Sequence, residues 1–109
     1  MNAKEIRKEL FGYGLEFKNS PVSVNVNSPW YYNGRSLADC YKNYSSAKFS
    51  AYNYCTNLCA TLNGENFGVR SYNCMVFTCH FTFNFDGKQF YCVITKSHNY
   101  AYPIGEKIV

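Results

Sequence analysis

Cysteine, histidine and carboxylate side chains supply most nucleophiles, proton carriers and metal ligands, and this chain of 109 residues holds six, two and seven of them. A zinc centre needs donors converging at about 2.0–2.3 Å, usually through a CxxC or HxxxH knuckle. Neither spacing occurs among Cys40, Cys55, Cys59, Cys74, Cys79, Cys92, His80 and His98. Cys55 and Cys59 are four apart and share a helix face, whereas Cys79 and His80 point to opposite sides of a strand. Cys74 and Cys79, read on one strand, also point apart. A Cys/His nucleophile pair finds no support, since His80 lies away from a phenylalanine-rich face and His98 in a loop, each a solvated or partner-contacting imidazole. The carboxylates Glu5, Glu9, Glu16, Asp39, Glu65, Asp86 and Glu106 fall mainly on helical faces or turns, where charge serves solvation. With no glycine-rich phosphate loop, GxSxG or HExxH, the chain is expected to be no enzyme and to need no metal, cofactor or small-molecule substrate. A thiol- or zinc-dependent small enzyme ranks third among the functional readings.

The N-terminal ten residues are charged throughout and lack the apolar core of a secretory signal. No apolar run nears the roughly 20 residues that span a bilayer. The expectation is therefore a cytoplasmic protein whose cysteines are reduced thiols packed as small hydrophobes.

Surplus aromatic surface is the stronger signal. Aromatics make up 19% of the chain, with 11 Tyr, 9 Phe and one Trp, and tyrosine tolerates a half-wet position. Trp30-Tyr31-Tyr32-Asn33-Gly34-Arg35 places the three residue types enriched at protein hot spots beside a turn. Tyr31, Tyr32, Arg35, Tyr41, Lys42, Tyr44 and Lys48 also interleave base-stacking rings with phosphate-pairing cations, which makes nucleic acid the alternative partner. The net charge of +4 and a pI near 8.7 are modest for a dedicated nucleic-acid binder. Protein binding is the favoured class, with Trp30, Tyr31, Tyr32, Arg35, Tyr41, Lys42, Tyr44 and Lys48 as the expected contact residues.

The positioning elements are those of one α+β domain spanning 1–109, since a chain this long builds a single core. Asn2 with Glu5 three residues later opens a short amphipathic helix carrying Ile6 and Leu10, with Gly12 and Gly14 as stops. Residues 15–18 and 22–27 alternate as half-buried strands, and Asn33-Gly34 forms a turn. Leu37, Tyr41 and Tyr44 stripe one short helix. Ala47, Ala51, Cys55, Leu58 and Leu62 stripe a longer one around 46–62, capped by Ser45 or Ser46 and closed by Asn63-Gly64. The sheet is expected to be antiparallel and centred on a hairpin of 72–85 with 88–96, turning at Asp86-Gly87. In that register Phe85 faces Lys88, Phe83 faces Phe90, Phe81 faces Cys92, Cys79 faces Ile94 and His80 faces Val93. The tail from Ser97 onward reads as mostly irregular.

A chain of just over a hundred residues, rich in Asn, Tyr and Phe, opening on the charged helix of residues 2–10 and lacking enzyme motifs, resembles the small accessory proteins of phages and mobile elements of low-GC Firmicutes. That group includes the anti-CRISPR proteins directed at type II-A Cas9. Val69-Arg70-Ser71-Tyr72-Asn73-Cys74-Met75-Val76 is also similar to a short SYxTxV-like strand motif of phage domains, with Cys74 in place of the Thr. The resemblance implies a phage- or prophage-type inhibitor that occupies a bacterial defence nuclease stoichiometrically, with Cas9 as leading target and no cofactor. The alternative is a small nucleic-acid-binding regulator.

Overall fold

A computed structural model describes residues 1–23, 46–70, 73–75, 78–95 and 97–108, the side chains of 46–50 and 73–75 excepted. The first helix, α1 (Ala3–Gly12), starts where the Asn2 side chain accepts the Glu5 amide at 2.9 Å, as the sequence predicts, and it buries Ile6 and Leu10 completely. Its exit is a Schellman turn. The Leu15 amide donates to the Leu10 carbonyl and the Gly14 amide to the Phe11 carbonyl, each at 2.9 Å, with Gly14 at φ +87°. The turn drops Leu15 into the core and leads to the two-residue edge strand β1 (Glu16–Phe17).

The long helix α2 (Ser46–Gly64) lays a buried stripe of Ala51, Cys55, Leu58, Cys59 and Leu62 against the sheet. It ends on a second Schellman turn, in which the Phe67 amide reaches the Leu62 carbonyl and the Asn66 amide the Asn63 carbonyl, both at 3.0 Å. The left-handed residue is Asn66, at φ 66°. The helix thus ends at Gly64, at the expected Asn63-Gly64 closure, with the left-handed residue two positions further on, just ahead of the buried Phe67. Asn63 accepts the Val69 amide through its side chain.

Four further strands complete the sheet: β2 (Asn73–Met75), β3 (Thr78–Phe85), β4 (Lys88–Thr95) and β5 (Asn99–Pro103). The order is β1-β5-β4-β3-β2. All neighbours are antiparallel except β1 and β5, which run parallel, so the sheet is mixed where an antiparallel one was expected. The β3–β4 hairpin has the register read from the sequence, from Phe85 opposite Lys88 to Cys79 opposite Ile94. Asp86 and Gly87 both take positive φ, 53° and 73°, the geometry of the turn that matches strand twist. Under the helices this face buries Cys79, Phe81, Phe83, Phe90, Cys92, Ile94 and Ala101. Phe83 stacks on Phe90 across the strands, with centroids 5.4 Å apart.

Three further expectations are corrected. Residues 72–85 are not one strand, since β2 folds back on β3 with Cys74 opposite Cys79. The tail is not irregular, because β5 pairs along β4 and β1, and Val22 makes an isolated parallel bridge to Ile104 beyond it. Its polar lead-in and Pro103 imitate a loop, while the ladders on both sides supply the strand's hydrogen bonds. His80 is not solvated: only 6% of it is exposed. The remainder of the 22–27 strand, the Asn33-Gly34 turn and the short helix carrying Leu37, Tyr41 and Tyr44 lie outside the described residues. Among those described, no helix is long and apolar enough to cross a membrane.

Candidate functional site

Three of the cysteines, Cys55, Cys59 and Cys92, are free thiols buried in the core. Cys55 and Cys59, one turn apart on α2, hydrogen-bond to each other, with Cys92 of β4 within electrostatic reach, and all three are buried. The bond to Cys59, and then burial, hold the Cys55 thiol far above the ordinary thiol range. Burial, seconded by Cys59, does the same to Cys92. Since the thiolate is the nucleophile and the metal ligand, Cys55 and Cys92 are inert near neutral pH. Among the described residues, no group of three or more His, Cys, Asp or Glu is arranged to hold a metal ion. Cys79 departs from the reduced-thiol expectation, because it is disulfide-bonded. Its partner lies outside the described side chains.

His80 Nδ1 and the Tyr91 hydroxyl are 2.9 Å apart, so this imidazole belongs to a packed polar pair on the sheet face away from the helices. His98 is exposed in its loop, where its ring stacks on Tyr100 with centroids 5.5 Å apart and planes 5° from parallel.

Among the described residues, two surfaces carry partly exposed aromatic rings. The first is a concave region whose hub is Tyr13, just past the end of α1. One depression runs from Tyr13 along α2 past Tyr54, Asn57 and Thr61. Another, of about 270 Å³, lies between Glu9, Glu65 and Asp86 over the rings of Tyr13, Phe67 and Phe85. Those rings are mutually ordered: Tyr13 meets Phe67 edge-on at 5.2 Å, and Phe67 stacks on Phe85 at 5.1 Å. Partial burial, followed by the charges of Glu65 and Glu9, raises the Tyr13 phenol above its usual range. Asp86 is already engaged, accepting the Met1 ammonium at 2.9 Å with Lys88 at 3.6 Å. Tyr54, which lines the first depression, is 42% exposed, and Phe11 of α1 is 76% exposed.

The second surface is the outer face of β4 and β5. Tyr91 lies opposite Tyr102, and Val93 opposite Tyr100, so tyrosines and His98 form a half-exposed aromatic row. The Lys18 ammonium sits 4.7 Å from the Tyr100 ring centroid and 2.8 Å from Glu16.

The expected contact residues Trp30, Tyr31, Tyr32, Arg35, Tyr41, Lys42 and Tyr44 lie outside the described residues. Lys48 falls in α2, with its side chain outside them. Neither the Tyr13 concavity nor the tyrosine row figures in the sequence expectations. The alternation of Tyr100 and Tyr102 with Ala101 and Pro103 is a period-two signal that marks the row. The concavity carries no such signal, because Glu9, Tyr13, Glu65 and Phe67 converge only through two helix exits. Comparison with protein-family models, curated proteins and solved structures finds no match to this chain.

Proposed function

We propose that this chain acts without catalysis, by stoichiometric binding of another protein through the concave surface around Tyr13. The observation that carries this is Tyr54, a large ring 42% exposed that lines the depression running from Tyr13 along α2. Large aromatic surface left in water at a concave site is stabilised by a partner that covers it. The resemblance to phage and mobile-element proteins supplies the partner class, a bacterial defence nuclease with Cas9 as the leading target, met in the bacterial cytoplasm.

A second reading, a small regulator that binds single-stranded nucleic acid, is favoured by the aromatic row and by Lys18 seated on Tyr100. One experiment separates the two. The tagged chain is used to capture partners from a low-GC bacterial lysate containing an active CRISPR system, with and without nuclease treatment, alongside Phe11→Ala/Tyr54→Ala and Tyr100→Ala/Tyr102→Ala variants. Protein capture that survives nuclease and is lost in the first variant supports the inhibitor. Recovery of nucleic acid alone, weakened by the second variant and falling steeply with salt, supports the regulator. A Trp30→Ala/Tyr32→Ala variant tests the contact residues expected from the sequence in the same assay.

A further inference from the structure

We propose that the depression beside Tyr13 receives a cationic side chain, a guanidinium foremost, presented by the partner polypeptide, with Tyr13 as its floor and Glu9 and Glu65 as its charged walls. This rests on the protein-binding reading and names the chemistry of the partner. The chain as a whole is cationic at +4, yet none of the residues lining this depression is Lys or Arg, and three are carboxylates. Asp86 spends its charge on the Met1 ammonium and Lys88. Glu9 and Glu65 are both exposed, and among the described residues neither makes a salt bridge, so their negative charge faces the opening.

The rings add a feature that charge alone lacks. A guanidinium is planar, weakly hydrated, and attracted to the face of an aromatic ring within about 6 Å of its centroid. Here the Tyr13 ring is held at 73° to Phe67, and Phe67 is fixed in turn by its stack on Phe85. An aromatic surface is therefore built before any ligand arrives. Asn66 and Asn84 line the same depression and offer amide oxygens to the remaining N–H donors. The surface thus combines flat rings, facing carboxylates and amide acceptors, a set that complements a guanidinium and repels phosphate. It fits a segment of a partner rich in arginine, the residue that nucleic-acid-handling proteins concentrate along their channels.

The test uses the full chain, isotopically labelled, and a ten-residue peptide of alternating arginine and glycine. The comparator is the same peptide with citrulline at each arginine, which keeps the shape and removes the charge. The arginine peptide should shift the backbone amide resonances of Glu9, Tyr13, Glu65 and Asn66 saturably. The citrulline peptide should bind at least fivefold more weakly, and a Glu9→Gln/Glu65→Gln variant should lose at least fivefold for the arginine peptide with its spectrum otherwise unchanged. Equal binding of the two peptides, shifts confined to the Tyr100 face, or no saturable shift would overturn the proposal. In the capture experiment, partner binding kept by Glu9→Gln/Glu65→Gln and lost in Phe11→Ala/Tyr54→Ala would sink the cation pocket and leave the protein-binding surface standing. Capture indifferent to both variants would remove both.

Discussion

Replacing Cys55 and Cys92 together by alanine should make the chain's stability less sensitive to alkali than that of the parent. In the folded state the two thiols are held well above their ordinary value, Cys55 by its bond to Cys59 and by burial, and Cys92 by burial. In the unfolded chain they titrate near 9.0. A group whose folded pKa is raised contributes its full stabilisation below the unfolded pKa and loses it as pH climbs toward the folded value. At pH 10, one unit above the unfolded pKa, ionisation in the unfolded state costs the fold about 1.4 kcal/mol per thiol, or about 2.8 kcal/mol for both. The alanines remove some packing at every pH, but they also remove this slope. The assay is urea unfolding followed by circular dichroism at pH 7, 8, 9 and 10, for parent and variant, both with the Cys79 disulfide reduced beforehand and kept reduced throughout. The stability gap between them should shrink by about 2.8 kcal/mol from pH 7 to pH 10. A gap that stays constant would refute the reasoning. It would mean that the folded thiols ionise as readily as unfolded ones, and a reactive thiol site would return to consideration.

Gly14→Ala should cost about 1 kcal/mol by urea unfolding, because position 14 sits at φ +87° and a Cβ there would also run into the Tyr54 hydroxyl. Phe83→Ala should be far more damaging, about 3–5 kcal/mol, since the ring is 1% exposed and stacks on both Phe90 and the Phe67 edge. Asp86 has its carboxyl pulled below the ordinary range, chiefly by its bond to the Met1 ammonium. Its contribution should therefore be present above about pH 3.8 and fade as acid carries the pH down through the folded value. Thermal unfolding should show Asp86→Asn less stable than the parent at pH 6, with the two converging near pH 2.

The parts legible in advance are those in which one segment carries its own instructions. The Asp86-Gly87 turn and the alternation on either side of it specify one register, because a one-residue slip would turn the phenylalanines to the wrong face. Asn2 announces the start of α1 because the cap joins residues only three positions apart, Asn2 and Glu5. What stayed hidden depends on distant partners. β5 is a strand because β4 and β1 stand on either side of it, and His80 is buried on a face that periodicity alone assigns to solvent. The cysteines could be read as packed residues, which Cys55, Cys59 and Cys92 are, but no spacing signals the bond at Cys79. The Tyr13 surface was the least legible, because two helices must end in the same manner before Glu9 and Glu65 flank one ring.

The parallel pairing of Glu16 with Tyr100 joins residues 84 positions apart. At the roughly 5–20 residues per second of protein synthesis, β1 waits about 4–17 s on the ribosome before its neighbour exists. Over that interval Leu15 and Phe17 have no finished sheet against which to shelter. Closing so long a loop is entropically slow and should follow the nucleation of the β3–β4 hairpin, whose contacts are local. Attachment of α1 and β1 is then a late event in folding, and substitutions there should change the unfolding rate more than the folding rate. Tyr13 and Glu9 travel with that unit. The surface proposed for partner recognition is thus expected to be among the last features the molecule acquires, so a nascent chain that has not yet made β5 should not bind through it.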